Sequence, residues 1–340
     1  MVALIIGVTG QDGKYLTEFL LKKGYKVYGI KRRTSYDNMM RLKNIITNIN
    51  FEVFECDITD SMSIYEIIQQ ILPDEIYNLA AQSHVGTSFK IPDYTSEVDG
   101  KGTLNVLRAI TNIKEKKIKF YQASTSELFG KVQKIPQDET TQFYPRSPYA
   151  IAKLYAYWMT VNFREAYEVY ACNGILFNHE SPYRGSEFIT KKVVENVIRI
   201  CNGHITSFSV GNLEAKRDWG YAEDYVQAMW LMLQQEKPDD YVVATGEMHS
   251  VREFIEEAFQ CVEIEIVWKG EGISERGINK KTGDVLVMVD PELFRPTEVE
   301  LLIGNAEKAQ KMLGWKPKTT FKKLVQIMIE EEKKFASIKH

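Results

Sequence analysis

The 340-residue sequence predicts an α/β fold, a doubly wound parallel sheet with a smaller, partly helical C-terminal lobe. Three observations carry that expectation. Apolar, strand-like runs alternate with helix-length patterns through the first half. A glycine-rich turn separates the first strand from the first helix. The alternation weakens after Phe177. The boundary is therefore placed there, with 1–177 forming the sheet domain and 178–340 mainly the second lobe, some of its segments returning to the sheet.

Residues 2–7 are a continuous apolar run, suited to a strand buried on both faces. A helix is expected from about Lys14, with Leu16, Phe19, Leu20 and Lys23 at helical spacing, stopping at Gly24. Further strands are expected at 26–30, 51–55, 75–79 and 118–123, separated by helical patterns at 61–70 and 98–113. A long helix over 149–167 precedes a sixth strand, 170–177. Such alternation implies right-handed crossovers and a parallel sheet. Residues 178–185 read as a polar loop, and 189–202 and 222–235 as helices. A strand at 241–244 and a helix at 251–262 are assigned to the sheet layer. The charged, glycine-containing stretch 271–283 is expected to be mobile, and a helix over 321–334 closes the pattern.

Hydrophobic residues make up 44% of the chain and charged residues 26%, ordinary for a globular protein. A net charge of −3 supplies no basic field for nucleic acid, and the lysines of 114–119 read as a solvated helix end. Cys56, Cys172, Cys201 and Cys261 form no CxxC pair, so neither a metal site nor a disulfide is expected. No apolar run approaches the ~20 residues of a membrane span, and no signal-peptide pattern opens the chain. A cytoplasmic enzyme with no membrane partner is expected.

The turn Gly7-Val8-Thr9-Gly10-Gln11-Asp12-Gly13 follows a strand and precedes a helix. Gly7 permits the tight turn, Gly10 lets the backbone approach a pyrophosphate, and Gly13 lets helix and strand pack closely. The helix N-terminus then faces the phosphates. An enzyme for NAD places Asp or Glu at the end of the second strand. Here the residues are Lys31-Arg32-Arg33-Thr34-Ser35, two guanidiniums and two hydroxyls that suit the 2′-phosphate of NADP. Asp57 and Ile58 follow the third strand and are placed beside the adenine. Leu79, Ala80, Ala81, Gln82 and Ser83 leave the fourth strand at the catalytic edge and are placed along the ribose and nicotinamide. His84 is read as structural.

Tyr149 and Lys153 are four apart on a helix and share a face. Lys153 there would lower the pKa of the phenol and hold the ribose, and Tyr149 could take a proton from a sugar hydroxyl while hydride leaves for the cofactor. Ser124-Thr125-Ser126-Glu127 sits at the end of the fifth strand. Thr125 could bond the sugar O4. Oxidation at C4 would acidify the C5 proton, and Glu127 could remove it and help expel the C6 hydroxyl as water. Ser124-x-x-Glu127 also reads as a helix capping box, which would make the carboxylate structural.

The chain resembles the GDP-mannose 4,6-dehydratases of the extended short-chain dehydrogenase/reductase superfamily, whose sheet domain is a Rossmann fold. The resemblance runs through GVTGQDG (7–13), KRRTS (31–35), NLAAQSHV (78–85), FYQASTSELFG (120–130), YPRSPYAIAK (144–153), NGILFNHESP (173–182), GNLEAKRDWGYAEDYV (211–226) and FRPTEVELLIGN (294–305). It implies conversion of GDP-D-mannose to GDP-4-dehydro-6-deoxy-D-mannose with NADP bound throughout. It implies that Thr125, Glu127 and Tyr149 act on the sugar, with Ser83 and Ser126 beside it, and that Lys153 supports Tyr149. Tyr94, His179 and Arg184 would complete the cofactor site. Asn178, Lys192, Arg217, Arg295 and Glu298 would contact the nucleotide sugar, Arg217 and Arg295 pairing with its diphosphate. A homodimer or homotetramer is implied, with the basic loop from Arg32 to Arg41 as a candidate contact. Tyr183 departs from the pattern, standing where many relatives carry a second Arg.

Two rivals follow from the same residues. A related nucleotide-sugar reductase or epimerase shares the Tyr–Lys pair but usually lacks the carboxylate of Glu127. A non-enzymatic NADP-sensing protein could share the fold, yet has no need of Thr125, Glu127, Tyr149 and Lys153 together.

Overall fold

Seven short strands share one sheet, whose inner strands are buried on both faces. The computed structural model describes residues 1–35, 38–294 and 301–338. Its main sheet contains β1 (Val2–Ile6), β2 (Lys26–Lys31), β3 (Phe51–Glu55), β4 (Glu75–Asn78), β5 (Lys119–Thr125), β6 (Ala171–Leu176) and the strand Tyr241–Val243. The order is Tyr241–Val243, β6, β5, β4, β1, β2, β3, and every neighbouring pair is parallel. The winding direction reverses between β4 and β1, so a crevice opens there at the C-terminal ends of the strands.

Strand alternation sorts the core into two layers. Ala3, Ile5, Val27, Tyr77 and Tyr121 pack with Leu16 and Leu20 of helix Gln11–Lys22 and with Val226, Met229 and Leu233 of helix Ala222–Leu233. Leu4, Ile6, Ile30, Ile76 and Phe120 pack on the opposite face with Ile64, Ile68, Val106, Ile110 and Phe163. Two segments from beyond residue 177, the strand Tyr241–Val243 and helix Ala222–Leu233, thus return to this sheet.

A separate core gathers Val193, Val197, Trp219, Phe254, Phe259, Leu324 and Met328. Over it lies a four-stranded sheet in the order Ile266–Lys269, Arg276–Asn279, Val285–Val289, Phe208–Val210. Helix Val251–Gln260 belongs to this second core, not to the main sheet layer as expected, because Phe254, Ile255 and Phe259 meet Val193, Val197 and the C-terminal helix Phe321–Ile338. The stretch 271–283, for which no strand was expected, contains one. Arg276–Asn279 is an inner strand of the small sheet, paired on both sides. Its charges are matched locally, Glu275 with Arg252 at 2.7 Å and Lys280 with Glu265 at 2.5 Å.

Other boundaries shift by local causes. The first helix starts at Gln11, three residues earlier than expected, because Gly10 already has extended backbone and the turn is finished there. The 178–185 segment holds a short strand, Asn178–Glu180, paired in parallel with Trp219–Tyr221. The 98–113 helix is a π-helical turn, Ser96–Lys101, followed by helix Gly102–Asn112. Among the described residues, no helix is long and apolar enough to cross a membrane.

Candidate active site

The turn after β1 is shaped by what its glycines cannot tolerate. Gly7 has φ +87, and a Cβ on it would lie 2.8 Å from the Ala80 nitrogen; one on Gly13 would lie 2.4 Å from the Val8 carbonyl oxygen. Strand, turn and helix are therefore in backbone contact. No side chain caps the helix that follows, so its first N–H groups remain available to an anion. The side chains of Gln11 and Asp12 point elsewhere. Gln11 donates to the His179 carbonyl at 3.0 Å and accepts from Ser181 at 2.7 Å, while Asp12 meets His179 Nε2 at 2.7 Å. These contacts tie the turn to Asn178–Glu180 and fix its pose. The open helix end and this close-packed turn fit a dinucleotide pyrophosphate.

At the end of β2, Arg32 hydrogen bonds and stacks on Tyr94, while Arg33 is exposed. Lys31 is committed to Glu55 at 2.7 Å. Arg41, which the sequence placed in a candidate subunit contact, donates to the Thr9 carbonyl at 3.2 Å and so reaches over the glycine-rich turn. Asp57 accepts from its own turn, from Thr59 N at 3.0 Å and Thr59 Oγ1 at 2.8 Å, and Ile58 is core. Gln82 is held through its backbone N–H by Asp99, 2.7 Å away, while Ser83 is exposed. His84 caps the short helix Val85–Ser88 through Thr87, as a structural histidine should.

The strand–helix arrangement places Thr125, Glu127, Tyr149 and Lys153 together and buries all four. Thr125 accepts the Glu127 N–H at 3.2 Å and hydrogen bonds the Tyr149 phenol. The capping-box reading fails here: Thr125, not Ser124, caps the turn Ser126–Leu128, and the Ser124 hydroxyl makes no hydrogen bond. Lys153 donates to the Ala123 carbonyl at 3.1 Å. Burial raises the Tyr149 pKa, Asp99 and Glu127 add to the rise, and the Thr125 bond and Arg184 oppose it. Burial lowers the Lys153 pKa and Asp99 partly restores it. The pocket therefore gathers a phenol, an amine and a carboxyl group around one substrate, a suitable set for moving protons.

On the far wall, Arg184 pairs with Glu180 at 3.2 Å and lies over the Phe188 ring at 3.7 Å. His179 is stacked on Tyr225, ring centroids 4.9 Å apart. Asn178 is on the short strand beside Trp219. Arg217 is buried, donates to the Lys216 carbonyl at 2.8 Å, and lies between His249 and Leu302 in a small sheet. Burial depresses the Lys192 pKa, with Asp290 pulling the other way. Arg295 and Glu298 lie outside the described residues.

A family model described as GDP-mannose 4,6 dehydratase matches residues 4–328. The chain belongs to the GDP-mannose 4,6-dehydratase family. It is 55% identical over 338 residues to the GDP-mannose 4,6 dehydratase of Homo sapiens, covering 97% of this chain and 91% of the relative. It is 51% identical over 347 residues to the GDP-mannose 4,6-dehydratase of Vibrio cholerae serotype O1, covering 97% and 93%. Among solved structures, dTDP-glucose 4,6-dehydratase from Streptomyces venezuelae with NAD and TYD bound superposes with a TM-score of 0.84 at 18% identity, covering 99% of this chain and 98% of that one. That likeness is one of fold.

Against the GDP-mannose 4,6-dehydratase family pattern, the departure at Tyr183 is absorbed by packing. Its ring meets Tyr15 edge-on at 5.8 Å and lies under Lys14 at 4.4 Å, so the position serves an aromatic cluster. Asp218, not singled out by the sequence, supports the same wall. Its buried carboxylate accepts from Thr245 N at 2.9 Å, Thr245 Oγ1 at 2.7 Å, Gly246 N at 2.9 Å and Gly304 N at 3.3 Å. It thereby staples three distant segments beside Arg217. The RDWGY run was the sequence signal; its partners are too remote in the chain to be read from it.

Proposed function

We infer that this protein is a GDP-mannose 4,6-dehydratase, a hydro-lyase converting GDP-D-mannose to GDP-4-dehydro-6-deoxy-D-mannose and water with a retained NADP. One observation carries the reading: a buried carboxylate, Glu127, held beside a Tyr149 that is itself bonded to Thr125 and shares its helix with Lys153. NADP, when bound, supplies an acceptor for hydride from C4 and a donor of hydride to C6. Tyr149 takes the proton from O4, and Thr125 orients that oxygen. Lys153 favours the phenolate form of Tyr149 that accepts this proton. Glu127 removes the C5 proton, made acidic by the neighbouring ketone, and delivers a proton to the departing C6 hydroxyl; once hydride has returned to C6, Tyr149 gives C5 the solvent-exchangeable proton it took from O4. Asn178, Lys192 and Arg217 hold the nucleotide sugar, and Arg184 adds positive charge near Tyr149 and the glycine-rich turn.

Deuterium oxide tests the carboxylate's role. Product formed in it should carry deuterium at C5, and Glu127→Gln should bind NADP yet release no water from GDP-mannose, as read by mass spectrometry. Full dehydration by that variant, or no label at C5, contradicts the assignment. The same carboxylate favours dehydration over simple reduction or epimerisation, and the complete catalytic set favours an enzyme over a sensor.

The choice of NADP rests on Arg32, Arg33, Thr34 and Ser35, with Arg41 close by and no Asp or Glu among residues 31–35. Cofactor released by denaturing the purified protein should be NADP(H); recovery of NAD(H) contradicts this. A homodimer is supported by helix Pro148–Ala166, which leaves Ile151, Tyr155 and Trp158 on one face at 58%, 45% and 55% exposure. An apolar stripe at helical spacing on a single face suits self-pairing with a second copy.

A further inference from the structure

The apolar face of the C-terminal helix Phe321–Ile338 ends on a charge. Phe321, Leu324, Val325, Met328 and Ile329 recur at helical spacing and enter the second core. The next inward position is Glu332, and it is buried with them. A buried carboxylate needs a partner. Glu332 has one in Lys191, itself only 5% exposed, whose Nζ stands 2.5 Å from its Oε2. The same Nζ donates to the Pro182 carbonyl at 2.9 Å, and Glu195 lies 3.7 Å away.

Such a pair is a poor source of stability. Taking both charges out of water costs about as much as their attraction gains, and two apolar side chains of similar size often pack as well. What the pair adds is direction: an ammonium held by a carboxylate presents another of its protons to one carbonyl. That carbonyl belongs to the segment leading to Arg184. Ser181 donates to Gln11 of the glycine-rich turn at 2.7 Å and accepts the Tyr183 N–H at 3.1 Å. The Arg184 N–H meets the Ser181 carbonyl at 3.0 Å. The Arg184 guanidinium pairs with Glu180, which also accepts from Thr190 at 2.5 Å. The Tyr183 ring and the Lys191 ammonium both rest on Phe335, one turn beyond Glu332, at 5.8 Å and 5.4 Å. The C-terminal helix is thus tied through Lys191, Pro182 and Ser181 to the turn that faces the pyrophosphate.

We propose that Lys191, aimed by Glu332, is a positioning residue for the cofactor. It fixes the Pro182 carbonyl, and with it the pose of Arg184 and the Ser181–Gln11 tie, so the C-terminal helix sets how tightly NADP is held. The proposal rests on the reading of Arg184 as a cofactor ligand. Its effect falls on binding more than on proton transfer. Thr125, Glu127 and Tyr149 stand on β5, the turn after it and helix Pro148–Ala166, which carry no bond to Lys191 or Glu332 among the described residues.

Exchange of the bound cofactor for radiolabelled NADP, followed on the purified holoprotein, reads the proposal without turnover. Lys191→Met should speed exchange about tenfold, the equivalent of one charge-assisted hydrogen bond. Its rate of water loss at saturating NADP and GDP-mannose should fall by less, a split that general loosening would not give. Lys191→Arg, with donors for both oxygens, should return exchange towards the wild-type rate. Lys191→Met combined with Glu332→Leu removes both charges at once. It should keep the melting temperature of the NADP-saturated protein yet still exchange fast. Exchange at the wild-type rate in these variants, or exchange that quickens only as the melting temperature falls, makes the pair merely structural and overturns the proposal. Wild-type protein that carries no NADP would instead sink the reading of the cofactor site on which the proposal rests.

Discussion

His179 shows how much a single side chain can decide. Its Nε2 faces the Asp12 carboxylate at 2.7 Å and its Nδ1 faces the Phe177 carbonyl at 2.8 Å. Neither partner has a proton to give, so both ring nitrogens donate and the ring is an imidazolium. Burial works against that charge, but Asp12 outweighs it and lifts the His179 pKa. Burial likewise opposes the Asp12 charge, and His179 prevails in lowering its pKa. A raised folded-state pKa contributes stability that is fully present below the unfolded value and is lost as pH rises through the folded one. The melting temperature should therefore fall as pH rises from about 6.5, and His179→Asn should flatten that slope. Identical slopes in thermal scans of the two proteins would contradict the ion pair. None of this was visible in the sequence, where Asp12 and His179 stand 167 residues apart.

At the scale of elements, the strand Tyr241–Val243 depends on the residue before it. Asp240 receives Arg164 through two bonds of 2.8 Å, the Asn173 N–H at 3.0 Å, its side-chain amide at 2.9 Å and the Tyr157 hydroxyl at 3.2 Å. These bonds pin the edge strand to β6 and to helix Pro148–Ala166. Asp240→Ala leaves the half-buried Arg164 guanidinium with the Ala171 carbonyl but without its carboxylate and should cost about 3 kcal/mol in urea unfolding. A loss under about 1 kcal/mol would mean the network is replaceable by water. The main sheet was readable from sequence because its strands are largely apolar runs of three to seven residues and its helices repeat with a period near 3.6. Tyr149 and Lys153 were readable for the same reason. The two-residue strands Lys216–Arg217, His249–Ser250 and Leu301–Leu302 were not, since they exist only through one another. Arg276–Asn279 was misread because its flanking charges are neutralised by residues of other elements.

The whole molecule is two cores around one crevice, with Ala222–Leu233 and Tyr241–Val243 crossing back to bind them together. The exposed face of Ile151, Tyr155 and Trp158 belongs to this scale. Trp158→Glu should turn a dimer into a monomer in sedimentation velocity, without lowering the melting temperature of the monomer by more than about 0.5 kcal/mol equivalent. A wild-type monomer, or a dimer undisturbed by the charge, would remove that assignment. The buried catalytic set makes a stronger claim, that one substrate molecule is oxidised and reduced within a single residence. GDP-mannose deuterated at C4, mixed with an equal amount of unlabelled substrate carrying carbon-13 in the hexose, tests it directly. The account predicts deuterium at C6 only in products lacking carbon-13. Deuterium appearing in the carbon-13 product would contradict it.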